Sequence, residues 1–374
     1  MNTGSTNLVG LAAFEAELFD LFGVLAEGSS VEALQPWEII GDDGTESTQP
    51  LGNVVRFRRR PDAPRQMLLV GHYDTVFGAG DSFQAVTITD EQIFGPGVAD
   101  MKGGLLVLKT ALEQLEQSRS ASDVGWELLF NPDEELGSVG SAPLLAAAAQ
   151  GKDVGFIFEP SFPDGGLAGG RKGSGTFTVV VRGKSAHAGR DHSDGRNAVA
   201  ALARITSLID ALNGRWDGVT INPGVVRGGH TTNIVPDVAV LKLNVRATTQ
   251  QDADTVVSEI HRICEQATTY GITATLTGGF TRPPKPYDDR QRRLLEAAAR
   301  VGRELGLTIT IQETGGVSDG NNLYEAGLAN IDNLGVHGAN IHSSEEYMWT
   351  ESLITRSQLA TVLFLEFASG RLVP

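Results

Sequence analysis

Between residues 66 and 160 the sequence alternates short apolar runs with amphipathic stretches, and the apolar runs stop at acids or histidines. QMLLVGHYDTV (66–76), VGWELLFNPDEE (124–135) and VGFIFEP (154–160) read as strands. KGGLLVLKTALEQLEQ (102–117) and SAPLLAAAAQ (141–150) read as the helices between them, since their apolar residues recur every three to four positions. Such alternation predicts an α/β fold, a mainly parallel sheet with helices on both faces, because parallel strands need helical crossovers. Sheets of this class take ligands outside the carboxyl ends of their strands. Those ends are where the acids and histidines fall.

The pattern changes after residue 171. GTFTVVVRGKSAHAGR (175–190) alternates like a half-exposed strand, 197–212 is helical, and 219–248 reads as two antiparallel strands. A helix (253–271) and a strand (272–279) follow. This predicts an α+β sandwich over 172–282, inserted into an α/β domain made of 1–171 and 283–374. The α/β pattern resumes with a helix at 289–305, a strand at 307–312 and a helix near 351–369. The turn-rich TRPPKP (281–286) reads as a hinge.

The formal charge is −16, which argues against nucleic acid or an anionic membrane as partner. No apolar run reaches the length of a membrane span, and the N-terminus lacks the basic start of a signal peptide, so the cytoplasm is the expected location. Cys264 is the single cysteine, so a metal site here must use histidine and carboxylate.

His72 and Asp74 lie two apart in GHYDTV, where strand geometry turns both to one face. Asp100 follows a GPG turn and precedes a helix, a place that also suits an N-cap. Glu134 and Glu135 are adjacent in NPDEELGS, so one can bind a metal while the other stays free as a general base. Taken alone, the pair is equally a solvated acidic turn. Glu159 ends a buried strand, where an unpaired carboxylate is rarely found. His342 sits in GANIHSSEEY. Two histidines with several carboxylates are the raw material of a two-metal hydrolase, and the donor set suits zinc, with cobalt or manganese able to use the same ligands.

In this order, GHYDTV, GPGVADMKGG, DEELGS, FEP, GKSAHAGR, NIVPD and GANIHSSEEY resemble the dinuclear zinc aminoacylase/carboxypeptidase family, peptidase clan MH, and most nearly its glutamate carboxypeptidase-like members. The resemblance spans roughly residues 65 to 370. It implies two zinc ions, one held by His72 and Glu159, the other by Glu135 and His342, with Asp100 bridging and joined to Met101 by a cis peptide. Asp74 would orient His72, and Glu134 would be the base. The inserted sandwich would be a lid and dimerisation domain, making a homodimer in which His187 stabilises the oxyanion in the other subunit's site. Arg246, Asn233, Gly315 and Gly316 would grip the α-carboxylate of the substrate. The implied activity is hydrolysis of an amide beside a C-terminal amino acid, with an N-acyl amino acid deacylase as the alternative and a non-catalytic metal-binding scaffold as a more distant one. The family also opens with an extra helix and a serine-containing turn, whereas this chain reads as starting inside the second helix.

Overall fold

In the computed structural model residues 1–373 are described, and they form two compact units. The first comprises Met1–Pro36, Pro50–Arg171 and Pro286–Pro374; the second comprises Trp37–Gln49 and Lys172–Lys285.

A six-stranded sheet organises the first unit, in the order Gly28–Ala33, Asn53–Arg59, Val124–Asn131, Arg65–His72, Val154–Ile157 and Asn330–Ile331. The last four strands are parallel, and the first two join antiparallel at one edge. Leu69 is the centre of the register, opposite Leu128 on one side and Phe156 on the other. Side chains alternate between faces, and both faces are covered. Met67 and Leu69 pack with helices Leu8–Phe22, Gly103–Glu116, Asp289–Glu304 and Thr350–Ala368. Leu68 and Val70 pack on the other face with helices Ala142–Ala149 and Asp319–Glu325. Burial on both faces is what makes MLLV and LLF continuous apolar runs rather than alternating ones.

The second unit has a four-stranded antiparallel sheet, in the order Thr220–Gly228, Val238–Ala247, Gly173–Arg182 and Thr273–Arg282. Phe177, Val179 and Val181 pack beneath helices Ala198–Asp210 and Gln250–Ala267, chiefly on Leu202, Ile205, Val256 and Ile260. The hairpin Trp37–Ile40/Glu46–Gln49 belongs to this unit. Arg182 donates to the Gly44 carbonyl at 2.7 Å, and Lys242 pairs with Asp42 at 2.8 Å. No helix among the described residues is long and apolar enough to cross a membrane.

Candidate metal centre

Strand Arg65–His72 ends at His72 itself, so Asp74 lies beyond the strand rather than on it. The two side chains still meet. His72 Nδ1 is 3.2 Å from Asp74 Oδ1 and 3.1 Å from the Asp74 carbonyl. Its Nε2 points the other way, 3.1 Å from Asp100 Oδ1 and 3.7 Å from Glu159 Oε1. Asp74 is fully buried and accepts the N–H groups of Glu134 and Glu135, each at 3.2 Å, and the Ser5 hydroxyl at 2.7 Å. One carboxylate therefore orients a histidine and pins the turn that carries both glutamates.

Asp100 is not an N-cap. It lies in the irregular turn Val98–Lys102, before helix Gly103–Glu116, and is joined to Met101 by a cis peptide. Its two oxygens face different histidines, Oδ1 toward His72 and Oδ2 toward His342 Nε2 at 3.2 Å. His342 Nε2 is also 3.2 Å from Glu135 Oε2. The His342 backbone is left-handed, with φ 61°, a conformation that surrounding structure must hold in a non-glycine residue. Two groups result, His72–Asp100–Glu159 and Asp100–Glu135–His342, and within each the donor atoms lie within 4.8 Å of one another. Asp100 is common to both.

The electrostatics fit divalent cations. Burial and then the charge of Asp100 push the Glu135 carboxyl up to about 8. Burial likewise pushes Glu159 well above its ordinary value, with the charges of Asp100 and Glu134 adding to it. Burial alone would lower His72, but the charge of Glu159 and hydrogen bonds to Asp100 and Asp74 raise it well above its ordinary value. Hydrogen bonds to Asp100 and Glu135 raise His342 to about 11. For Asp100 burial acts upward, yet hydrogen bonds from His342 and His72 hold it below the carboxylate range. Three buried carboxylates around two imidazoles are an excess of negative charge that two dications would neutralise.

Behind this site lies a buried polar network that the sequence did not announce. Asn131 Nδ2 donates to Ser138, Ser141 and Asp319, and Ser138 donates to Asp319 at 2.6 Å. It fixes the far side of the Glu134–Glu135 turn. The contact between Ser5 and Asp74 was also missed, because a lone serine in MNTGST carries no periodic signal.

The other expected residues divide between the units. Gly315 and Gly316 lie in the first, in the exposed loop before helix Asp319–Glu325, and the Gly316 N–H donates to the Thr314 hydroxyl at 3.1 Å. His187, Asn233 and Arg246 lie in the second. His187 and Asn233 are brought together there, since the Ala188 N–H donates to the Asn233 carbonyl at 3.0 Å. His187 Nδ1 accepts the N–H groups of Gly189 and Arg190, each at 3.1 Å. Its ring proton accordingly sits on Nε2, available for donation. Arg246 stands on strand Val238–Ala247 and donates from Nε to Asn244 Oδ1 at 2.9 Å.

Comparison with known proteins places the chain among metal-dependent hydrolases. Carboxypeptidase G2 of Pseudomonas sp. strain RS-16 is 27% identical over 369 residues, covering 96% of this chain and 88% of that protein. Succinyl-diaminopimelate desuccinylase of Azoarcus sp. strain BH72 is 28% identical over 332 residues, covering 83% and 85%. The fold is similar to that of an M20 family metallo-carboxypeptidase from Sulfolobus solfataricus, with a TM-score of 0.78 at 16% identity over 98% of this chain and 97% of that one. Since the sequence matches Peptidase family M20/M25/M40 over residues 68–366, the chain belongs to that family and is a metal-dependent enzyme of the peptidase and amidohydrolase class.

Proposed function

We propose that this enzyme is a two-zinc metallocarboxypeptidase, hydrolysing the amide beside a C-terminal amino acid that carries a free carboxylate, glutamate among them. The observation that carries the reading is Asp100, which offers one oxygen to each of two three-residue donor groups, with Glu134 next in sequence to a member of one of them. His72 and Glu159 would hold one ion and Glu135 and His342 the other, with Asp100 between. When bound, the two ions supply Lewis acidity toward the amide carbonyl and lower the pKa of a water nearby.

The chain's own residues do the rest. Asp74 keeps the His72 ring turned so that Nε2 faces the centre. Glu134 takes a proton from the attacking water as the C–O bond forms, then passes it to the nitrogen as the C–N bond breaks. His187, with its proton on Nε2, donates to the oxyanion of the tetrahedral intermediate. In this reading the second unit acts as a lid and dimer contact, His187 serves the site of a second copy, and Arg246, Asn233, Gly315 and Gly316 hold the substrate α-carboxylate.

A second reading, an N-acyl amino acid deacylase, is favoured by the 28% identity to succinyl-diaminopimelate desuccinylase over 83% of the chain. One experiment tests both. Zinc-loaded protein is assayed on dipeptides and N-acyl amino acids ending in Glu, Asp, Leu, Phe, Lys and Arg, with Glu134→Gln as control. The expected result is cleavage with a C-terminal preference and a loss of about 10²–10⁴-fold in kcat in the variant. Selective cleavage of small acyl groups instead would favour the deacylase. A protein that holds two ions and cleaves nothing would contradict both.

A further inference from the structure

Glu346 is wholly buried, four residues beyond His342, and no step of the proposed chemistry uses it. Its carboxylate accepts three backbone N–H groups from the turn that carries Asp100. Oε2 takes Gly97 at 3.0 Å, and Oε1 takes Ala99 at 2.9 Å and Asp100 at 3.0 Å. The Glu346 carbonyl accepts a fourth, from Gly95 at 3.2 Å, and its own N–H donates to the Ser343 carbonyl at 3.2 Å. Gly97, Ala99 and Asp100 are all buried, so each of these N–H groups would otherwise lack water as a partner. A run of N–H groups converging on one anion is a nest, and here the anion is supplied by the protein itself. Gly97 permits this curl because its φ is 73°, and a Cβ there would stand 2.6 Å from the Thr75 side chain.

The consequence is mechanical. Asp100 reaches the centre from one loop and His342 from another, more than 200 residues later, and their side chains meet at 3.2 Å. Glu346 is the residue of the His342 loop whose side chain grips the Asp100 loop. We propose that Glu346 is a positioning residue that sets Asp100 against His342, and thereby the spacing of the two ion positions, without itself being a ligand. The proposal builds on the two-ion reading above.

Glu346→Gln tests it. The amide keeps the volume but has one acceptor oxygen, and its NH₂ group must face an N–H of the nest. Parent and variant are stripped of metal, their melting points compared, and Zn²⁺ titrated calorimetrically. The expected result is a stripped variant that still folds, melting several degrees below the parent for the one unmatched buried N–H, yet binds Zn²⁺ about 10–100-fold more weakly at one of two positions, the loss typical when a group that orients a metal ligand is changed. Its kcat should fall with KM little changed. Two ions bound with parental affinities would overturn the proposal, as would weakening that matches only a loss of folded protein. A parent that binds no Zn²⁺ would overturn the two-ion reading and the proposal with it. Should Glu346→Gln not fold, Glu346→Asp, which keeps the charge and shortens the reach, goes through the same titration with the same outcomes.

Discussion

Stripped of metal, this protein is expected to lose stability as the pH rises from about 5.5 to about 8.5, the reverse of what paired carboxylates give. Glu135 is pushed from 4.5 to about 8 in the folded chain, by burial and then by the charge of Asp100. A group raised on folding binds more protons in the native state, so its stabilisation is complete below the unfolded value and is lost as the pH climbs through the folded one. Glu159 and His72 are raised as well and act in the same direction. His342, raised to about 11, extends the loss to higher pH, but it is half exposed and its share is screened. Asp100 is lowered instead, and its stabilisation is lost only in acid, below the usual aspartate range. At about 1.4 kcal/mol per pH unit, Glu135 by itself makes the difference across this interval on the order of 3 kcal/mol. Zn²⁺ must displace the same protons, so its binding should release protons at about pH 7 and tighten as the pH rises. The assay is equilibrium urea unfolding of metal-stripped protein at several pH values, followed by tryptophan fluorescence, with Trp126 buried in the first unit. Calorimetry in buffers of different ionisation heat counts the released protons. Stability that is flat or rising over this interval, or Zn²⁺ binding without proton release, would refute the reasoning.

Other expectations are simpler to check. His342→Ala removes the only nitrogen donor of the Asp100–Glu135–His342 group and should reduce bound zinc from two ions to one, read by metal analysis after gel filtration. His187→Ala should lower kcat by about 10²–10³-fold while bound metal stays at the parental level, since it removes an oxyanion donor and no ligand. In Gly104→Ala the new Cβ would stand 2.1 Å from the Phe158 carbonyl, one residue before Glu159. That overpacking should destabilise by about 1–3 kcal/mol in urea unfolding.

The strands that end at His72 and, at Asn131, just short of Glu134–Glu135 were legible because a parallel sheet buried on both faces needs long apolar runs, and its ends must turn polar. Helix Gly103–Glu116 was legible from its period, and the change to the half-exposed pattern of GTFTVVVRGKSAHAGR marked the second unit. Other features have no local signature. The strand at 307–312 is observed at Ile311–Thr314, its start set by pairing with Leu167–Arg171 rather than by propensity. Asn330–Ile331 is a two-residue strand whose identity comes only from its neighbour. Asp74 falls outside the strand that QMLLVGHYDTV suggested, because the ladder ends at His72 opposite Asn131. In HSSEEY Glu346 is one of two adjacent acids. Its partners are backbone N–H groups about 250 positions earlier, and no side-chain pattern marks an N–H.

The five donors are not spread evenly along the chain. His72, Asp100, Glu135 and Glu159 all precede the Lys172–Lys285 stretch, and His342 follows it. A ribosome adding about 5–20 residues per second needs on the order of 10–40 s to travel the roughly 180 residues from Glu159 to His342. Throughout that time the emerging polypeptide has four of these residues and cannot complete the Asp100–Glu135–His342 group. A message cut short anywhere before codon 342 would yield a protein with one full donor group at most. Translation itself thus withholds the second donor group until helix Thr350–Ala368 is about to be made.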